Sequence, residues 1–205
     1  MRWERFFEDL EDQLAAEWEA ERAALDSEAE RVRVARLELR SRLVALAAAP
    51  APSVSLEMSD GSAIDATIDA VGADWMAVRA RATGSEAQGA IVVLPLRALR
   101  SLGAAHGEVL RSARPSPPEG RLAQRITFGF ALRDLARRRV PVVVGVVSGR
   151  ALTGTLDRVG ADHLDLAVHD AGSPRRASEV TGYRVIAFEA VAWVRVDASS
   201  GVVEP

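Results

Sequence analysis

Residues 155–168 read TLDRVGADHLDLAV, and residues 67–80, 88 positions earlier, read TIDAVGADWMAVRA. A shift of 88 pairs Gly61 with Gly149, Ala63 with Ala151, Thr67 with Thr155 and Asp69 with Asp157. The same shift pairs Val71 with Val159, Gly72 with Gly160, Ala73 with Ala161 and Asp74 with Asp162. Positions that differ keep their character, as Ile64/Leu152, Ile68/Leu156, Met76/Leu164 and Val78/Leu166 do. Self-similarity at a fixed period is the mark of a duplicated folding unit.

Alternation makes the unit β. Ile64, Ala66 and Ile68 fall on one face of an extended chain, with Asp65, Thr67 and Asp69 on the other, and Leu152, Gly154 and Leu156 repeat the pattern. VGAD then reads as a reversal, with Gly72 and Gly160 supplying positive φ and Asp74 and Asp162 bonding nearby backbone N–H groups. Further on, VVLPLRALRSL (92–102) matches RVIAFEAVAWV (184–194) at an offset of 92, pairing Leu94/Ile186, Leu96/Phe188, Leu99/Val191 and Leu102/Val194. The four extra residues belong to the loop HDAGSPRRASEVTGY that precedes the later copy. Each unit reads as five short strands, with one helical turn, LRAL or FEAV, between the last two. Such a set suits a small closed barrel, which leaves no long open edge. Ile64, Ile68, Met76 and Val78 are expected inside the first unit, and Leu152, Leu156, Leu164 and Leu166 inside the second.

VSLEMSDGSAIDATIDAVGADWMAV (54–78) and VVVGVVSGRALTGTLDRVGADHLDLAV (142–168) resemble the first motif of Sm-like and related SH3-like small barrels. EGRLAQRITFGFALRDLARRR (119–139) stands where the Sm pattern has a helix before its barrel. The arrangement is also similar to an actinobacterial type of tandem-barrel protein, some of them labelled Fis-family regulators, although no helix-turn-helix here supports that label. The resemblance implies an α+β fold of two tandem five-stranded barrels, each preceded by helix, behind a long N-terminal helix or helical hairpin. Its divisions are a helical, coiled-coil-like segment at 1–49, barrels at 53–104 and 140–197, a connecting amphipathic helix at 118–139 and a tail at 198–205. RNA-binding Sm proteins carry an Asp-x-x-x-Asn loop and an Arg-Gly loop. This chain has no Asn, and its second loops present Arg97 and Glu189 instead. The family's RNA site is therefore not expected.

Composition narrows the class. The 205 residues are 48% hydrophobic, enough for real cores, and contain no Cys, which removes disulfides and thiolate chemistry. Lys is absent too, so all 26 basic residues are Arg, in keeping with a GC-rich bacterial coding bias. The charged N-terminus lacks the apolar core of a signal peptide, and no run nears the ~20 apolar residues of a membrane span. A cytoplasmic, soluble protein without membrane contact is expected.

The first fifty residues have helical grammar: Trp3, Phe7, Leu10, Leu14, Trp18, Leu25, Val32, Ala35, Leu39, Leu43 and Leu46 recur at steps of three and four or their multiples. Glu21 and Glu28 interrupt that seam. A continuous helix would run roughly 70 Å. Alternatively Asp26 or Ser27 starts a second helix, since residues 27–30 form a capping-box pattern. Pro50 and Pro52 end the helical stretch. Residues 1–30 hold eleven acids against Arg2, Arg5 and Arg22, whereas residues 31–50 hold Arg31, Arg33, Arg36, Arg40 and Arg42 against Glu38. This polarity suits antiparallel self-association, a homodimer held by Trp3, Phe7, Leu10, Leu14, Trp18, Leu25, Val32 and Leu39. The competing arrangement is a hairpin packed on itself.

Candidate contact residues for a partner or nucleic acid are Arg125, Arg133, Arg137, Arg138 and Arg139 on the middle helix, with Trp75 and Arg97. On that helix, Leu122, Ile126, Phe130 and Leu135 are expected to cover an apolar face while Arg125, Arg133 and Arg137 stay exposed. Charge runs are more often solvated faces, and Trp75 more often packs than stacks on a base. His163, Asp165 and His169 share one parity, which is how a strand presents metal ligands, but the first unit has Trp75, Ala77 and Arg81 there. A solvated outer face is the expected reading. No phosphate loop, nucleophile elbow or zinc-binding helix motif occurs. No catalytic residue, cofactor or metal is assigned. The expected function is a non-enzymatic protein-binding scaffold or regulatory adaptor, with a protein or a second copy as partner. A nucleic-acid-associated regulator using the basic helical segments is the less favoured alternative.

Overall fold

A computed structural model describes residues 2–48, 50–81, 89–114, 125–170 and 180–196, with side chains from residue 13 onward. Arg121, Leu122, the start of the 118–139 segment and the 198–205 tail lie outside the described residues, as do the side chains of Trp3, Phe7 and Leu10. The chain divides into two units, residues 1–39 and 40–205.

The first unit is α1, Arg2–Ala35, a single helix of 34 residues. It runs through Ser27, so no second helix starts there, but it is not continuous to residue 48 either, because residues 36–38 interrupt it. Glu30, which a capping box needs to turn back on Ser27, is taken instead by Arg33 at 2.6 Å, and Glu28 pairs with Arg31 at 3.5 Å. Ion pairs at this spacing support the helix just beyond the supposed break. At 1.5 Å per residue α1 is about 51 Å long. The helix ends before Leu37, and a short second helix, α2, spans Leu39–Ala47.

The second unit contains ten strands: β1 Ser53–Met58, β2 Ala63–Val71, β3 Trp75–Ala80, β4 Ile91–Pro95, β5 Leu99–Gly103, β6 Pro141–Val146, β7 Ala151–Val159, β8 His163–Val168, β9 Gly182–Ala187 and β10 Val191–Val196. Short 3-10 turns at Leu96–Ala98 and Phe188–Ala190 join the last two strands of each half, as LRAL and FEAV predict. Helices α3, His106–Ser112, and α4, Phe128–Arg138, lie between the halves in sequence.

The expected pair of closed five-stranded barrels is not what forms. All ten strands make one open antiparallel sheet in the order β5-β1-β2-β3-β4-β10-β6-β7-β8-β9. To close the first half, β4 would have to meet β5. Its free edge is used by β10 instead, with Val194 opposite Val93, Arg195 opposite Val92 and Val196 opposite Ile91. Closure and continuation satisfy the same backbone groups, and here continuation wins.

The duplication holds strand by strand. The halves are β5-β1-β2-β3-β4 and β10-β6-β7-β8-β9, the same order in the same register: Leu56 faces Leu102 as Val144 faces Val194. Even the irregularities repeat, at Ile68/Ala70 and Leu156/Arg158, and again where β5 and β10 shift against β1 and β6. Ile68, Met76, Val78, Leu156, Leu164 and Leu166 are buried, with Ile64 and Leu152 packed partly buried beside them. The cores interlock across the junction. Trp75, Ala77, Ile91 and Val93 of the first half belong to the second half's core, and Trp193 packs against the first.

Helix α4 covers β7 with Phe128, Leu132 and Leu135, spaced i, i+4, i+7. Leu135 is buried as expected and Ile126 packs against the core, but Phe130 is exposed. The helix begins at Phe128, not at residue 121, so its buried stripe is rotated by two residues from the one read through Ile126 and Phe130.

Candidate functional site

Each VGAD turn lies under a ring, and that is why it carries glycine. A Cβ on Gly72 would sit 2.1 Å from Nε1 of Trp75, and one on Gly160 would sit 2.5 Å from Cε1 of His163. Neither glycine is among the described glycines with positive φ, Gly61, Gly89 and Gly149. Close approach, and not left-handed backbone, dictates the residue.

The first turn holds the chain that leads into α4. The Ala73 N–H and the Trp75 indole N–H both donate to the Ile126 carbonyl, at 2.9 and 2.8 Å, and the Phe128 N–H donates to the Asp74 carboxylate at 2.6 Å. Asp74 thus caps a helix 54 residues away rather than bonding within its own turn. Trp75 is buried in the junction core, which removes it as a stacking platform for a base. Arg97 is also consumed here. Its guanidinium donates to the Phe188 carbonyl and lies 6.0 Å from the Phe128 ring centroid, where Phe188 meets Phe128 edge-on.

The remaining basic candidates do not form one free patch. Arg133 donates to the carbonyls of Gly160 and Val159 at 2.9 and 3.4 Å, and Arg137 and Arg138 both pair with Asp134. Arg139 ends α4 in the left-handed region at φ 53° and is exposed. Arg125 is exposed. Of the N-terminal basic run, Arg42 bonds Ser112 and Val109, and Arg40 bonds the Gly72 carbonyl, so both serve the fold.

His163, Asp165 and His169 are not a common solvated face. His169 lies beyond the end of β8, buried, with Nε2 2.8 Å from the Thr155 hydroxyl and Nδ1 3.0 Å from the Asp170 carbonyl. His163 bonds the exposed Asp162 at 2.8 Å, which holds that carboxyl below its ordinary value. No cluster of three metal-ligating side chains occurs among the described residues.

Among the described residues, exposed apolar side chains cluster on α1 and on β9. On α1, Leu14, Trp18, Leu25 and Val32 are exposed, Trp18 at 66% and Leu25 at 65%. On β9, Tyr183 and Val185 are exposed, features that sequence reading passed over. Their signal was present: they match Ile91 and Val93 of β4 at the 92-residue offset. Among the described residues no helix is long and apolar enough to cross a membrane.

No family model, curated protein or solved structure matches the chain.

Proposed function

We propose that this chain is a non-enzymatic association scaffold whose α1 pairs with α1 of a second copy, the β-sheet unit being the body that is brought together. The observation that carries this reading is the exposed row Trp18, Leu25 and Val32, evenly spaced at seven residues along a helix with acidic and basic ends. Isolated exposed apolar residues need no explanation, but a row at helical spacing is the pattern of a helix–helix seam.

The row and the charges agree on one arrangement. Antiparallel helices crossing at Leu25 bring Trp18 level with Val32 of the other copy. The same crossing brings Arg22 level with Glu28, Arg31 with Glu19 and Arg33 with Glu17. A parallel pairing would set acid beside acid along the first thirty residues. The nucleic-acid reading is disfavoured because Arg97, Arg133, Arg137 and Arg138 already bond the protein itself.

The test uses the absence of native cysteine. A full-length Leu25→Cys chain should give a disulfide-linked dimer under mild oxidation, unaffected by nuclease, while Ala15→Cys, well away from the crossing, should not. Lack of a dimer at Leu25→Cys contradicts the crossing, and a dimer lost on nuclease treatment transfers the reading to nucleic acid.

A further inference from the structure

The β4–β10 junction joins the halves of one chain, and among the described residues each of its two sides has a counterpart with no further strand beside it at an end of the sheet. By the 92-residue offset β9 matches β4 and β5 matches β10, and β5 and β9 are the terminal strands of the order. An unpaired strand edge is a template for another strand unless something covers it. Burial differs as the loss of a neighbour requires. Val93 in β4 is 3% exposed and its counterpart Val185 is 73% exposed, and buried Ile91 is matched by exposed Tyr183. Val194 in β10 is fully buried, whereas its counterpart Leu102 is only partly covered.

The turns repeat the relation. In the first half, the Ala73 N–H, the Asp74 carboxylate and the Trp75 ring N–H grip residues 126–128. In the second half, the exposed Ala161 and Asp162 present the same backbone donor and the same carboxylate, the latter bonded by His163 of its own turn at 2.8 Å. By the alignment of the buried leucines (Leu43/Leu132, Leu46/Leu135), the residue matching Phe128 is Leu39, and it too is exposed.

We propose that copies of this chain associate head to tail, β9 of one adding to β5 of the next in the register of the β4–β10 junction. Val185 then lies opposite Leu102, Arg184 opposite Gly103 and Tyr183 opposite Ala104. The interface is heterologous, so repeating it closes a ring or extends a filament, unlike the two-fold α1 pairing, on which it does not depend.

Directly opposed residues of antiparallel strands have Cα atoms about 4.5–5.5 Å apart, within disulfide range. Arg184 is exposed, and a Cβ at Gly103 meets nothing nearer than Ser55 Cβ at 3.6 Å, so both positions accept cysteine. Full-length Arg184→Cys and Gly103→Cys chains, mixed and mildly oxidised, should give a mixed dimer that neither gives alone. The double variant should give a series of covalent multiples. That series should persist with Trp18→Glu, which removes α1 pairing, and vanish with Val185→Asp, at an exposed site, in a chain whose circular dichroism spectrum should remain that of the folded protein. A mixed product no more abundant than the homotypic ones, or a series that survives Val185→Asp, overturns the proposal.

Discussion

The indole N–H of Trp193 donates to the carboxylate of Asp60 at 2.7 Å, tying β10 of the second half to the β1–β2 turn of the first. Asp60 also accepts from the Ser62 N–H at 3.0 Å and the Ser62 hydroxyl at 2.6 Å. The junction is therefore held by a specific polar contact as well as by strand pairing.

That contact makes stability depend on acid. Burial raises the Asp60 pKa, but the bonds from Ser62 and Trp193 together outweigh it and hold the carboxyl below its ordinary value. A depressed pKa in the folded state contributes stability that is present above the unfolded value of about 4 and lost as pH falls through the folded one. Asp60→Asn should lower the melting temperature near pH 7, where the ionised carboxylate contributes, and its profile should converge on that of the unsubstituted chain below about pH 4, so that its acid limb is flatter. An unchanged acid limb contradicts this role.

The same Trp193 ring forbids a side chain beneath it. A Cβ on Gly145 would lie 2.2 Å from Cε2 of Trp193, whereas one on Gly107, in α3, meets nothing within 4 Å. Gly145→Ala should destabilise by about 1–3 kcal/mol, an overpacking cost. Gly107→Ala should gain up to about 1 kcal/mol of helix propensity. Denaturant midpoints moving in the same direction for both would contradict the packing described.

At the end of α4, Arg139 occupies the left-handed region that glycine adopts without strain. Arg139→Gly should raise stability by about 1 kcal/mol. A loss on chemical denaturation would mean that the Arg139 side chain holds the fold in a way its exposure does not suggest.

Leu156 is fully buried in the second half's core. Leu156→Ala should cost about 2–5 kcal/mol by equilibrium unfolding, the range for a core leucine that leaves a cavity.

The strands, their turns and their duplication were legible because each is written locally: alternation for the strands, a Gly-containing reversal, and a repeated phrase. The joining of the halves was not legible, since β4 carries the same pattern whether its edge meets β5 or β10. Only the three-dimensional meeting of Val93 with Val194 decides between them. Gly72 was read for its φ because a glycine in a turn has two explanations, and the ring of Trp75 above it cannot be seen from sequence. The face of α4 was misjudged by two residues because no cap marks its start. Thr127 makes no capping bond, and the cap comes from distant Asp74. Arg97 and Arg133 looked free because their acceptors are backbone carbonyls, which leave no trace in a charge pattern.

The central claim, that α1 is a self-association surface, is tested most directly by sedimentation equilibrium of the full-length chain carrying Val185→Asp, which blocks the sheet edge. At micromolar concentration the mass should be twice the 22.0 kDa of one chain, and adding Trp18→Glu should return it to 22.0 kDa with the melting temperature unchanged. A 22.0 kDa species in the chain with intact Trp18 would contradict the account.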